Sequence, residues 1–495
     1  MPKRLPIFYS ALLLTLVNLL LRFVGTSFQV YISATLGATG VGLLQLVMSV
    51  GSLAMIAGMA GIRTATMYLT AEELGRGKPH TVSRVLSGCF LYSILCSGTV
   101  STALYLLAPW IAENWIGDIR TLEALRLFSA FLPVTCLCGV MTGYFTAANR
   151  IGTLAAVEVA EQLISMAVTM AALTVWSGEN PGRACQSVIF GSGMGSCLTL
   201  LCLILLRSKE HPIRGTSIPI RHRLMEAAVP LALADILKSG ISTTENLMVP
   251  KRLALNQTIV NPLAAFGIIS GMVFPVLMFP ACILFALAEL LIPELARCAA
   301  AGSERRIQYL VHRGLKVAML YGIFFGGLMF LLADPLCHSL YRSAEAARQL
   351  KWYALLIPML YCDAITDAMT KGLGQQKICV RYNILTSAMD VLLLYFLLPE
   401  YGLHGYYLSF VVTHLINFLL SFRRLRRISR VDIPFYSPAL TISAALVCTK
   451  LAAMLPLPWL QCIAFVPMLC ALLFLLGILQ REDLLWIRGL IRKSR

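Results

Sequence analysis

Long apolar blocks alternate with short polar segments along the whole chain. The first block, LLLTLVNLLLRFVGTSFQVYI at residues 12–32, is long enough to cross a bilayer as an α-helix, because about 20 helical residues span the hydrocarbon core. Pro275 and Pro280 interrupt the eighth block, and LPLPW separates the last two. The pattern predicts fourteen transmembrane helices, at residues 7–31, 41–67, 86–108, 124–147, 152–176, 184–206, 224–249, 262–292, 314–333, 350–370, 378–398, 402–422, 437–455 and 458–479.

Composition supports this interpretation. Hydrophobic residues make up 58% of the 495 positions and charged residues only 13%, whereas soluble domains carry about 25% charged residues. The mean hydropathy is +0.77. We therefore expect an all-α integral membrane protein. The net charge of +17 falls in short clusters between the apolar blocks, which is typical of cytoplasmic loops and argues against nucleic-acid binding.

The lysines and arginines also predict the orientation in the membrane. If the N-terminus is cytoplasmic, thirty of the 41 fall in cytoplasmic segments, eight in outer loops and three within spans. Positive-inside topology requires such a bias, and one missed or invented span would remove it. We therefore expect an even number of spans and both termini in the cytoplasm. The basic run RRLRRISR, from Arg423, is expected to contact anionic lipid head groups.

The two halves of the chain resemble each other. Pro133 and Pro358 are 225 residues apart, as are Gly77 and Gly302 in the corresponding basic loops. Each repeat contains six spans, so both enter the membrane from the same side and form two parallel lobes around a central cavity, the layout of an alternating-access transporter. The predicted divisions are an N-lobe at 1–206, a basic cytoplasmic linker at 207–223, a C-lobe at 224–422, a basic cytoplasmic loop at 423–436, and two C-terminal helices with a cytoplasmic tail at 437–495.

A polar stripe runs along the first span. Asn18, Arg22, Thr26 and Gln29 recur every three or four residues, which places them on one helix face. Arg22 lies about 14 Å from the outer end of the span, too deep for snorkelling alone to relieve. Because a charged stripe at this depth faces protein or water, we expect it to line the central cavity.

The seventh span, which is equivalent to the first in the repeat, carries a second stripe. Asp235, Lys238, Ser242 and Glu245 are spaced by three or four residues, and Asn246 adjoins the last of them. Two interpretations stay open. Lys238 pairs with Asp235 on its own helix and so makes burial tolerable, or these residues line the same cavity as the first stripe.

Acidic residues within the spans are candidates for ion coupling. Asp363 and Asp367 lie one turn apart in the tenth span, and two carboxylates so close in a low-dielectric site favour binding of H⁺ or Na⁺. The alternative is a pair of acids in a wet vestibule. Asp235 and Asp390 are further candidates for ion coupling, whereas His414 is expected to be satisfied within the helix bundle.

The sequence contains no motif of a known catalytic or metal site. The fifteen cysteines are scattered without a C-x-x-C pair, so we interpret them as small core residues. A Walker loop, a metal-spaced Cys/His cluster and a nucleophile elbow are all absent. We therefore expect a protein that is not an enzyme and needs no cofactor beyond a coupling ion. GSGMG, from Gly191, predicts close helix packing through its G-x-x-x-G spacing.

Three segments resemble a known superfamily. They are RFVGTSFQVYISATLGATGVGLLQL from Arg22, STTENLMVPKRL from Ser242 and FALAELLIPELA from Phe285. They are similar to the multidrug/oligosaccharidyl-lipid/polysaccharide (MOP) exporters, in the branch of stage V sporulation protein B and polysaccharide export proteins, which is related to lipid II flippases. The resemblance implies a flippase that moves an undecaprenyl-diphosphate-linked oligosaccharide across the bacterial plasma membrane. We expect a monomer whose partners are this substrate and membrane lipids.

The resemblance also implies roles for basic residues. Arg22 would contact the diphosphate, because the forked donors of arginine suit phosphate oxygens. Lipid II flippases usually carry a second arginine about a turn and a half further along the first span, where this chain has Phe28. Lys238, Lys251 and Arg252 are therefore candidates to supply the missing charge.

Two other classes of protein remain as alternatives. A multidrug exporter of the same superfamily would exchange organic cations for Na⁺ or H⁺, and the carboxylates within the spans favour it, although Arg22 would repel a cation. A membrane polysaccharide polymerase or ligase usually presents a large outer loop with catalytic residues, whereas the outer loops here are short. A protein with a purely structural role is a further alternative, but such a role would not explain polar stripes inside membrane spans.

Overall fold

The protein is helical throughout the residues that its structure, a computed structural model, describes. These residues are 7–75, 79–176, 180–208, 220–431 and 436–479. Most of the predicted linker, part of the second basic loop and the C-terminal tail lie outside them. The helices are α1 Ile7–Met59, α2 Ile62–Gly75, α3 Pro79–Trp110, α4 Leu122–Ala147, α5 Ile151–Trp176, α6 Pro181–Ser208, α7 Ile220–Leu253, α8 Pro262–Gly267, α9 Phe274–Met278, α10 Ala281–Ala300, α11 Glu304–Tyr341, α12 Ala344–Ala354, α13 Ile357–Gly372, α14 Gln376–Ser429, α15 Tyr436–Ala453 and α16 Pro458–Leu475.

The predicted spans fall mainly on these helices, but three of them cross a helix break: the second between Met59 and Ile62, the eighth between Met278 and Ala281, and the tenth between Ala354 and Ile357. α1 and α14 each carry two spans, because a glycine with positive φ divides each of them into two rods: Gly37 (φ 67°, ψ 175°) and Gly402 (φ 56°, ψ −130°). Only glycine adopts such angles without strain. The predicted all-α membrane architecture is therefore confirmed.

Length and hydropathy alone select fewer spans. In the described part of the chain, eight helical stretches are long and apolar enough to cross a membrane, and a ninth is added if a bent pair counts as one. The bent pair, Pro262–Met278 and Ala281–Ala300, turns by 63°. The bend lies where Pro275 and Pro280 interrupt the predicted eighth span, as expected for residues that remove helical hydrogen bonds.

One compact unit comprises Met1–Gly271 together with Leu394–Gly402. Its core packs α2, α3, α4, α6 and α7 around buried side chains such as Leu86 and Phe145. Gly191 allows α6 to approach α5 closely, since a Cβ at this position would lie 2.0 Å from Thr169 Oγ1. The predicted role of the GSGMG segment in helix packing is thus confirmed.

The second compact unit comprises Met272–Leu393 and Leu403–Arg495. α11 lies at its centre and contacts α10, α12, α13, α15 and α16. The two C-terminal helices pack on α11 through a cluster that includes Ile323, Ala445 and Phe465. This grouping by contacts is not the predicted repeat, since α7 and α8 fall in the first unit, and the lobe boundaries stay a prediction.

The connection between α3 and α4 is ordered by one acidic side chain. A π-helical turn, Ile111–Ile116, leads into a 3₁₀ turn, Ile119–Thr121, which Asp118 caps. The Asp118 carboxylate accepts hydrogen bonds from the backbone N–H of Arg120 at 3.0 Å and from its guanidinium at 2.6 Å. The guanidinium holds the pKa of Asp118 below its ordinary value.

Candidate substrate and ion sites

The polar stripe predicted on the first span lies on the first rod of α1. Arg22 is exposed, and Thr26 and Gln29 are half-buried; the side chain of Asn18 is not among those described. The Thr26 hydroxyl donates to the carbonyl of Arg22 at 2.9 Å. A Cβ on Gly25, beside the stripe, would lie 3.8 Å from the amide nitrogen of Gln162 on α5. The described part of the stripe therefore lies on an exposed to half-buried face of α1, and its role in ligand binding stays a prediction.

The stripe on α7 is open rather than internally paired. Asp235, Lys238 and Ser242 are exposed, and Glu245 is half-buried. In the part of the chain that the structure describes, no ion pair joins Asp235 to Lys238. The interpretation of this stripe as a self-neutralised pair is thus not supported by the geometry, and its role in ligand binding stays a prediction.

α7 is fixed against α1 by a small polar node that the sequence did not reveal. Thr243 donates to the carbonyl of Ser49 at 3.0 Å, and the Asn246 amide donates to the Ser49 hydroxyl at 3.0 Å. The Ser49 hydroxyl in turn donates to the carbonyl of Gln45 at 2.8 Å. Asn246, predicted as a cavity residue, therefore uses its side-chain amide for a hydrogen bond that joins α7 to α1. The sequence did not single out Ser49, because a lone serine in an apolar span suggests no function until its hydrogen-bond partner is known.

Lys251 and Arg252 lie at the far end of α7. Lys251 donates from its ammonium to the carbonyl of Asn114 in the π-helical turn. The Arg252 guanidinium lies 3.2 Å from the ring centroid of Tyr395, a cation–π geometry. Thirteen residues separate Lys238 from Lys251, which is about 20 Å along a helix. Lys238 and this basic pair therefore cannot grip the same phosphate.

Asp363 on α13 belongs to a buried polar cluster in the second unit. The residue is buried, with 9% relative exposure. The Asn417 amide nitrogen, on the second rod of α14, lies 3.1 Å from each carboxylate oxygen. His414 Nδ1 lies 3.8 Å from Asp363 Oδ2. His414, expected to be satisfied within the helix bundle, thus lies beside the predicted coupling acid.

Three buried side-chain oxygens on α13 and α14 have no hydrogen-bond partner in the described structure. Asp367 Oδ2 forms an ion pair with Lys371 at 2.6 Å, whereas Asp367 Oδ1 is buried without a hydrogen-bond partner in the described structure. Asn417 Oδ1 and Ser421 Oγ are in the same situation. Buried oxygens without donors suit a bound proton or a hard cation. Among the described residues, no group of three or more His, Cys, Asp and Glu side chains could hold a metal ion.

Asp390 forms hydrogen bonds with a different set of residues from those that contact Asp363 and Asp367. Its Oδ1 accepts from Ser409 at 2.5 Å and from Thr413 at 3.3 Å, so its bonds join the two rods of α14. The structure therefore presents two separate carboxylate clusters in this unit, one at Asp363 and one at Asp390. The role of either in ion coupling stays a prediction.

A chain of long apolar helices with charged side chains inside them defines a multi-pass helical membrane protein, the class that includes transporters with polar cavities. The model of the polysaccharide biosynthesis protein family matches residues 8–298, more than half of the chain, and the MatE model matches residues 230–396. The chain belongs to the polysaccharide biosynthesis protein family, within the MOP superfamily.

Relatives and solved structures agree with this assignment. Stage V sporulation protein B of Bacillus subtilis (strain 168) is 22% identical over 455 residues, covering 89% of this chain and 87% of that protein. The inward closed conformation of the lipid II flippase MurJ superposes with a TM-score of 0.70 at 13% identity, covering 93% of this chain and 98% of that one. An inward-facing multidrug resistance MATE transporter gives a TM-score of 0.66 at 13% identity, covering 85% and 100%. At these identities the solved structures establish the fold.

Proposed function

We propose that the protein is a flippase for an undecaprenyl-diphosphate-linked oligosaccharide in the bacterial plasma membrane. The observation that carries the proposal is the exposed residue Arg22 on the polar stripe of α1, inside a predicted membrane span. An arginine within a membrane span faces protein or a water-filled cavity, and its forked donors match the oxygens of a diphosphate. The similarity to a protein named as a lipid II flippase supports the substrate class.

The head group binds along the two polar stripes of the first unit. Arg22, with Asn18, Thr26 and Gln29 beside it, contacts the diphosphate. Lys238 and Ser242 supply further polar contacts from α7, and the lipid chain stays in the membrane. The reaction moves the substrate without breaking a covalent bond, by alternating access of the two repeats. The protein acts as a monomer. Both termini lie in the cytoplasm, an orientation that the distribution of lysines and arginines supports.

Leaflet transfer in proteoliposomes tests this proposal. A fluorescent undecaprenyl-diphosphate disaccharide is reconstituted with the wild type, Arg22→Ala, Arg22→Lys and the control Arg183→Ala, which removes an exposed arginine at the start of α6. We expect transfer to fall at least tenfold in Arg22→Ala, to fall less in Arg22→Lys, which keeps the charge but loses the fork, and to stay unchanged in the control. Transfer that survives Arg22→Ala intact would refute the assigned role of Arg22.

An ion bound at Asp363 drives the transfer. The support is the buried carboxylate held by Asn417 and the nearby buried oxygens without partners. Imposed Na⁺ and H⁺ gradients across the same proteoliposomes identify the ion, and Asp363→Asn is expected to abolish the response to the gradient. Dependence on neither gradient would leave the membrane potential as the driving force and contradict an ion site at Asp363.

A multidrug exporter is the second candidate function. The buried Asp363 cluster and the MatE match over residues 230–396 favour it. The same proteoliposomes distinguish the two functions when ethidium replaces the lipid. Exchange of ethidium for Na⁺ or H⁺, without movement of the lipid-linked disaccharide, would favour the exporter and make Arg22 a structural residue.

A further inference from the structure

A narrow apolar slot opens in the second unit between α11, the junction of α12 and α13, and α15. Its volume is about 240 Å³. Gly326 and Gly327 lie on the α11 wall, where a Cβ on Gly326 would be 3.0 Å from the carbonyl oxygen of Ala354 and a Cβ on Gly327 would be 2.2 Å from the ring of Phe465. Pro358, just after the break between α12 and α13, lies on the opposite wall. Phe330 and Leu446 are among the apolar residues that line it. The slot is shaped for a hydrocarbon chain rather than for a polar ligand.

One cation stands at this slot. Lys450, in the last turn of α15, is exposed and carries the only charge among the described residues that line the slot. No hydrogen bond or ion pair joins its ammonium to any residue that the structure describes. The neighbouring Thr449 hydroxyl donates to the carbonyl of Ala445 at 2.8 Å, so its proton is not available to a ligand.

The position of Lys450 within an apolar helix makes it a candidate binding residue. A lysine inside a membrane span is costly, and it faces a partner or extends its ammonium to the interface. Lys450 lies three residues before the end of α15, and a short turn follows before α16. Phosphate groups of phospholipids lie at this boundary of the membrane, and basic pockets between helices bind them.

We propose that the slot binds the acyl chain of an anionic phospholipid whose phosphate pairs with Lys450. A polypeptide segment is a poor occupant, because its backbone groups would find no polar partners in an apolar slot. A prenyl diphosphate is also a poor match, because its head group carries more negative charge than one ammonium neutralises. A phosphodiester with a single negative charge complements Lys450. The bound lipid joins α15 to α11 and to the α12–α13 junction.

Native mass spectrometry of the full chain tests the site. The protein is purified in a mild detergent with added phosphatidylglycerol or, separately, with neutral phosphatidylcholine. Lys450→Gln removes the proposed phosphate partner. Lys351→Gln is the matched control, because it removes a lysine that already pairs with Asp334 at 2.5 Å. We expect the wild type and Lys351→Gln to retain phosphatidylglycerol in preference to phosphatidylcholine. In Lys450→Gln the fraction of protein with bound phosphatidylglycerol should fall at least tenfold.

A photoactivatable phosphatidylglycerol locates the acyl chain in the wild type, so the proposal does not depend on the folding of any variant. Crosslinks are expected on peptides that contain residues 323–330 and 442–450, and Ile442→Trp, which places a larger side chain in the slot, is expected to reduce them. Equal retention by Lys450→Gln and the wild type would overturn the proposal. Crosslinks outside these segments, equal binding of phosphatidylcholine, or displacement of the lipid by equimolar undecaprenyl diphosphate would overturn it as well.

Discussion

At the scale of single residues, the clearest feature of the second unit is the pairing of Asp363 with Asn417. Both residues are buried, at 9% and 8% relative exposure, and the Asn417 amide nitrogen is within hydrogen-bond distance of both Asp363 carboxylate oxygens. A buried carboxylate that loses its donor is left with a desolvation cost that nothing offsets. Asn417 is therefore a positioning residue for the predicted coupling acid.

A double-mutant cycle tests this pairing. Asn417→Ala should lower the free energy of unfolding by about 2 kcal/mol, the usual worth of a hydrogen bond to a charged group. In the Asp363→Asn background the same substitution should cost at least 1 kcal/mol less, about the coupling measured for residues in contact. Thermal unfolding in detergent provides the measurement, with Asn383→Ala on the first rod of α14 as the control. Additive effects of the two substitutions would show that the pair does not interact.

The capping carboxylate Asp118 gives a pH-dependent prediction. Its pKa is lowered in the folded protein, so the ionised form stabilises the fold. This contribution is complete above the unfolded-state pKa, about 3.9, and disappears as the pH falls through the folded-state pKa. The unfolding temperature of Asp118→Asn should lie below that of the wild type at pH 7, and the gap should close below about pH 4. Glu123→Gln, at a more exposed acid of the same connection, should show little gap at any pH, and a constant gap for Asp118→Asn would contradict the assignment.

At the scale of elements, backbone conformation decides where the long helices divide. The sequence predicts separate spans at 7–31 and 41–67, and the division at Gly37 agrees with it. The second predicted span nevertheless crosses a break that the structure places at Ala60 and Gly61, both with positive φ. The apolar pattern continues through this break, because a turn packed inside a helical bundle needs no polar residues. Hydrophobicity therefore predicts the spans well and the turns within them poorly.

Substitution of the dividing glycines tests the kinks. Gly37→Ala and Gly402→Ala force a Cβ onto backbone angles that only glycine adopts easily, at a cost of about 1–3 kcal/mol each. Gly402→Ala should cost more, because its Cβ would also lie 3.1 Å from Ile259 Cδ1, whereas no atom lies within 4 Å of the position at Gly37. Gly98→Ala is the control, since Gly98 is helical with open space around its Cβ position, and alanine should stabilise that helix by up to about 1 kcal/mol. Unfolding temperatures rank the three variants, and an unchanged Gly402→Ala would show that the kink is not required.

At the scale of the whole molecule, sequence patterns predict the elements far better than their partners. The fourteen predicted spans lie mainly on helices, because a bilayer imposes the same length and apolarity on each of them. Only the second, eighth and tenth cross a break between helices. The partners Asn417 of Asp363 and Ser49 of Asn246 lie 54 and 197 residues away in the chain. No local pattern encodes such distances. For the same reason the residues singled out from the stripes are on the expected helices, while Lys251 and Arg252 turn out to be remote from Lys238.

The orientation of the whole chain in the membrane follows from the distribution of lysines and arginines and is open to a direct test. Val260 is fully exposed in the connection between α7 and α8, which is predicted to lie outside. Ala301 is exposed between α10 and α11, on the predicted cytoplasmic side. In intact cells an impermeant maleimide should label Val260→Cys but not Ala301→Cys, and permeabilisation should expose the second position. Labelling of the wild type measures the background from the native cysteines. The reverse pattern would invert the topology and place the thirty basic residues outside. Labelling of both positions in intact cells would mean that an even number of spans, rather than the single predicted eighth span, separates the two connections.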